Sequence, residues 1–138
     1  MRTRGLIVGA LVGLVAACGS SATTPTPTPT MKTDTFSETL APNGAFTHTF
    51  SAGEAGTVTA TLTAVSPDSA IALGFSMGTY STATSTCQAV LANDLAVQGA
   101  VLTATAQTAG NFCVRLFDVG KVTAEAPQTY TVTVTHPQ

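Results

Sequence analysis

The chain has 138 residues, 44% of them hydrophobic and only 9% charged, with a net charge of −2. That length suits one domain of about 100–150 residues, and so few cations exclude the basic stripe that nucleic acid or anionic headgroups require. Trp is absent and Tyr80 and Tyr130 are the only tyrosines, which argues against a sugar-stacking platform.

The N-terminus carries the most specific signal. Arg2 and Arg4 precede an uncharged apolar run from Leu6 to Ala17, which closes on the small residues Val15-Ala16-Ala17. A basic start, a short apolar segment and a small-residue cut site are the parts of a secretory signal. The run is too short to span a bilayer, which takes about 20 residues. Cys18 follows directly, and this arrangement resembles the lipobox of bacterial lipoproteins. The resemblance implies a signal peptide over 1–17, acylation of Cys18, and a protein held on a membrane, periplasmic or at the cell surface. Without the leader, Lys32, Arg115 and Lys121 face seven carboxylates.

Residues 18–31 read as the lipidated cysteine and a tether. Thr24-Pro25-Thr26-Pro27-Thr28-Pro29-Thr30 favours extended polyproline II and forms no core. At about 3.1 Å per residue it would hold a domain some 40 Å from the lipid.

Residues 32–138 read as an all-β domain. From Phe36 onward the pattern has period two, the mark of half-buried strands. Phe46, His48 and Phe50 alternate with Thr47 and Thr49. In Thr57–Ala64, Val58, Ala60, Leu62 and Ala64 face one way and four threonines the other. Ile71, Leu73, Phe75 and Met77 alternate with small residues. Gln88–Gln98 breaks the pattern, and its two short apolar runs suggest a short helix. Leu102, Ala104 and Ala106 come next, then Phe112, Val114 and Leu116, and finally Tyr130, Val132 and Val134 among threonines. Turn residues separate these runs: Pro42-Asn43-Gly44, Gly53–Gly56, Ser66-Pro67-Asp68, Asn93-Asp94, Ala109-Gly110-Asn111 and Asp118–Lys121. Seven to eight such strands predict an antiparallel β-sandwich of jelly-roll or Ig-like type.

With Cys18 taken by lipid, Cys87 and Cys113 remain as an even pair in an oxidising compartment, which predicts one disulfide. Two free buried thiols would require a reducing compartment instead.

Other candidate chemistry is thin. Gly74-Phe75-Ser76-Met77-Gly78 matches the G-x-S-x-G nucleophile elbow, which needs a helix after the serine. The following Thr79–Thr86 stretch has no helical propensity, so Ser76 reads as a strand residue. His48 alternates with two phenylalanines and reads as packed at the edge of the core, while His136, near the C-terminus, reads as exposed. Two histidines this far apart make no zinc spacing. Asp68, Asp94 and Asp118 sit in predicted turns, where bonding to nearby backbone outweighs calcium ligation. Arg115 reads as the partner of Asp118 or Glu125. No catalytic residue, metal ligand or cofactor site is assigned.

The order of Phe46-Thr47-His48-Thr49-Phe50, Gly56–Leu62, Ala109–Asp118 and Tyr130–Val134 resembles the bacterial pre-peptidase C-terminal domain. That resemblance implies a small jelly-roll sandwich of the kind appended to exported enzymes. The expected function is a non-catalytic, lipid-anchored envelope or cell-surface binding or structural module, monomeric. Its expected partners are the membrane and an envelope protein or polysaccharide. The alternative is a carbohydrate- or calcium-binding accessory domain.

Overall fold

The computed structural model describes Gly19 and residues 22–138. The described residues form eight strands and no helix: β1 Met31–Leu40, β2 Ala45–Ala52, β3 Gly56–Ser66, β4 Leu73–Ser81, β5 Thr86–Ala96, β6 Val101–Ala106, β7 Gly110–Phe117 and β8 Gln128–Pro137. They make two four-stranded antiparallel sheets, ordered β1-β8-β3-β6 and β2-β7-β4-β5. Consecutive strands mostly sit in opposite sheets, the double Greek-key order of a jelly roll and not the Ig arrangement.

The alternation in sequence becomes the division between core and surface. Val58, Ala60 and Leu62 of β3 pack with Tyr130, Val132 and Val134 of β8 against Leu73, Phe75 and Met77 of β4 and Val114 and Leu116 of β7. Phe46, Ile71, Leu102 and Phe112, also expected inside, are only partly buried around that centre. Leu40, Phe50, Ala52, Val65, Ala96, Ala106 and Val122 complete the core.

β1 begins at Met31 and pairs along its whole length with β8. Four expectations are corrected. Gln88–Gln98 is no helix; it lies mostly in β5, which also takes in Asn93 and Asp94, so no turn falls there. Ala64 faces solvent, because a register shift after Leu62 moves Val65 to the core in its place. His136 is 1% exposed, since β8 runs on to Pro137 and carries it inward. Arg115 pairs with neither Asp118 nor Glu125; its guanidinium lies 5.0 Å from the Phe117 ring centre.

The Thr/Pro stretch enters at one end of the sandwich. The Gln138 N–H donates to the Thr30 carbonyl at 2.8 Å, and the Gly53 N–H to the Pro137 carbonyl at 3.1 Å. The strands therefore run lengthwise away from that stretch, and the β1–β2, β3–β4, β5–β6 and β7–β8 connections gather at the far end.

Candidate functional site

Cys18 lies outside the described residues, so its lipidation stays an expectation. Cys87 and Cys113 form a disulfide with Cα atoms 5.9 Å apart. This bond is not a link between paired strands. β7 and β5 flank β4, so the disulfide crosses over the outer face of β4. To reach, β5 leans across Gly78: a Cβ built there would collide with the Gln88 carbonyl. Cys113 Sγ also sits 3.3 Å from the Thr79 carbonyl oxygen, fixing the crossing point.

This geometry accounts for the G-x-S-x-G motif. Ser76 is buried in mid-strand, paired with Ala92 and Arg115, and β4 continues to Ser81. A nucleophile elbow needs a strand that ends at the serine. Both glycines have packing reasons instead: Gly78 lies under β5, and a Cβ at Gly74 would overlap the Phe117 ring.

The three turn aspartates separate. Asp118 collects backbone N–H groups from Gly120, Lys121 and Val122 on one oxygen and from Asn43 on the other, at 2.7–3.0 Å. It organises the β7–β8 connection and ties it to the β1–β2 turn. Asp68 accepts from the Ala70 N–H at 2.9 Å, capping its own loop. Asp94 lies within β5. Among the described residues no three His, Cys, Asp or Glu side chains come together as a metal site.

The two histidines do meet a network, along the edge where β1 and β2 face each other. His48 is half-buried, stacked on Phe36 with ring centres 4.8 Å apart, and its Nε2 lies 2.8 Å from the Tyr130 hydroxyl. Nε2 of His136 lies 3.0 Å from Asp34, which also holds Lys32 at 2.9 Å. Nδ1 of His136 lies 2.9 Å from the Pro137 carbonyl. These contacts rivet β1 to β8 and β2, from the end where the chain enters the fold (His136 with Asp34 and Lys32) to mid-strand (His48 with Phe36 and Tyr130). Sequence spacing could not show them, because the partners stand 82 and 102 residues apart.

That network, together with Asp118, sets how stability depends on pH. Burial holds His48 below its ordinary 6.5, against the pull of the Glu38 carboxylate. The hydrogen bond from Lys32 holds Asp34 below 3.8; burial opposes it and His136 assists. At Asp118 burial works against the charged form, but four backbone N–H groups outweigh it and lower the pKa. All three are depressed, so the stability they contribute is full above the unfolded values and is lost as pH falls through the folded ones. Tyr130 is raised from 10.0, first by burial and then by Glu38, so its contribution is lost as the solution becomes strongly alkaline. The melting temperature should therefore fall in two stages on acidification, one beginning below 6.5 and one below 3.8. Thermal melts across pH should show the upper stage disappearing in His48→Gln. An unchanged profile in that variant would remove His48 from the account.

Two open surfaces remain. One is an apolar groove of about 100 Å³ between the sheets at the β5–β6 edge, lined by Val58, Met77, Val90, Ala104 and Phe112. The other is the outer face of β1, β8, β3 and β6. Register aligns Thr33, Thr135, Thr59 and Thr103 in one row across all four strands, and Thr35, Thr133, Thr61 and Val101 in the next. Ser37 and Thr131 pair beyond them, as do Thr57 and Thr105. None of these side chains is buried, and none of the outward positions on the four strands is charged. Hydroxyls of β1 and β8 bond across the strands, Thr33 to Thr135 and Ser37 to Thr131 at 2.8 Å and Thr39 to Thr129 at 3.3 Å. The threonine alternation is plain in each strand; its alignment into one face depends on strand order.

No protein-family model matches the chain, and no curated protein matches it.

Proposed function

We propose that the chain is a non-catalytic binding module, exported and held on a membrane by lipid on Cys18, with the threonine face as its working surface. The uncharged, hydroxyl-covered face carries this reading. Soluble domains ordinarily intersperse charges, at about 25–35% of the surface. Here the charges lie off that face: Lys32, Asp34 and Glu38 at the inward-pointing positions of the edge strand β1, Glu54, Asp68, Asp118, Lys121 and Glu125 in connections, Asp94 on β5 and Arg115 on the outer side of the other sheet. A face kept free of charge while the rest of the surface is not suits contact with an uncharged partner.

The short apolar leader, the small residues before Cys18 and the Thr/Pro stretch support the anchor. The jelly-roll order supports the likeness to pre-peptidase C-terminal domains, and with it a place in the envelope or at the cell surface. Ser76 in mid-strand supports a non-catalytic role.

Cys18→Ser should abolish labelling by a radioactive or alkyne fatty acid and release the protein from the membrane fraction. Unchanged membrane retention would refute the anchor. Serine-dependent esterase turnover by the full chain, lost in Ser76→Ala, would refute the non-catalytic reading.

A further inference from the structure

We infer that the outer face of β1, β8, β3 and β6 binds ice, an inference that rests on this face being the working surface. Paired strands stand about 4.7–4.9 Å apart, and side chains on one face recur about every 6.4–6.8 Å along a strand. The rows Thr33-Thr135-Thr59-Thr103 and Thr35-Thr133-Thr61-Val101 therefore occupy a two-dimensional grid with those repeats. The spacing between strands lies close to the shorter repeat of water oxygens on a prism face of hexagonal ice, and the repeat along a strand falls somewhat short of the longer one. A ligand that is itself a planar lattice can engage such a grid at many points at once, although each contact alone is weak.

The residue type suits that ligand. Each threonine presents a hydroxyl, which can stand in for a lattice water, and a methyl, which displaces poorly ordered water. Branching at Cβ restricts χ1, so the two groups hold a fixed direction. Among the described residues, the hydroxyls of Thr59, Thr61, Thr103 and Thr133 have no protein hydrogen-bond partner, leaving them open to water. The β1–β8 hydroxyl pairs order the margin of the grid.

Charge points the same way. A lysine or carboxylate would hold a tight, radially oriented hydration shell that no ice lattice accommodates, and the outward positions of these strands carry neither. A neutral polysaccharide would also tolerate an uncharged face, but sugar rings are held by stacking on aromatic side chains, and no outward position here is aromatic. Ice needs no such platform.

The test freezes a solution of the full chain slowly onto a cold probe and measures its partition into the ice, while nanolitre osmometry follows the shape of single crystals. The protein should be enriched in ice over a non-binding control protein and should turn round crystals into faceted ones. Thr133→Lys places a charge at the centre of the grid and should lower the enrichment by about tenfold or more. Thr49→Lys, on the outer side of the other sheet, should leave it unchanged, with circular dichroism melts confirming that both variants fold. Exclusion of the wild-type chain from ice, with round crystals, would overturn the assignment. If the excluded chain is instead retained on an insoluble neutral polysaccharide, and Thr133→Lys abolishes that, ice is wrong and the binding face stands. If neither surface retains it, both fail.

Discussion

Gly78→Val should prevent stable folding, the largest effect expected of any single substitution outside the core. The backbone angle at Gly78 is not what demands glycine. Space is: the first side-chain carbon would collide with the backbone of Gln88, and a strand cannot rotate away as a flexible side chain can. Overpacking a well-filled site costs about 1–3 kcal/mol and more where backbone must move, against a total stability of about 5–15 kcal/mol. The cause of the crowding is the disulfide, which draws β5 over β4 to bring Cys87 to Cys113. The two features are thus coupled. Closing a loop between cysteines 26 residues apart stabilises the fold by about 3.5 kcal/mol in the chain-entropy model. Replacing Cys87 and Cys113 with serine should lose roughly that amount, yet in this background Gly78→Ala should cost less than in the disulfide-bonded protein. Denaturant titration of the four proteins measures the coupling. Strict additivity would mean that the disulfide does not hold β5 against Gly78.

Leu62→Ala should cost about 2–5 kcal/mol, enough to unfold a marginal domain. Leu62 has no exposed surface and pairs with Val132 at the centre of the β1-β8-β3-β6 sheet. It is also the last residue of β3 before the register shifts, and its own backbone is held from outside the sheet. Its N–H donates to the Ala100 carbonyl at 2.9 Å, and its carbonyl accepts from the Gly99 N–H at 2.7 Å. Neighbours pinned in this way cannot easily collapse into the space a shortened side chain leaves, which puts the cost toward the upper part of that range. A midpoint shift in urea with an unchanged slope would support a local cavity. A change below about 1 kcal/mol would show that the sheets close over the gap.

The parts of the fold that could be read from the chain share a physical character. β3 and β8 have one face in the core and one in water, so Val58-Ala60-Leu62 and Tyr130-Val132-Val134 alternate cleanly with threonine. β1 hid because its inward positions at the sandwich edge include Lys32, Asp34 and Glu38, which leaves it polar on both sides. β5 hid for a different reason. Its pairing with β4 slips twice, at Val90 and across Asp94-Leu95, and Val90 and Leu95 are 71% and 75% exposed. Each slip resets the period, so the segment reads as neither strand nor loop. His136 was misplaced because nearness to a terminus suggests exposure, whereas Phe50 and Asp34 cover it.

The candidate surface divides in the same way. That threonines occupy the solvent side follows from period two alone. That Thr33, Thr135, Thr59 and Thr103 stand in one row follows from strand order and register, which join residues far apart in the chain and leave no trace in local pattern.

The alignment of those rows is the central claim, and methyl–methyl nuclear Overhauser contacts test it most directly. The full chain should show contacts stepping from Thr33 to Thr135 to Thr59 to Thr103, and from Thr35 to Thr133 to Thr61 to Val101. Contacts offset by two residues between any two of these strands, or none between Thr135 and Thr59, would contradict the grid and with it the surface proposed to bind.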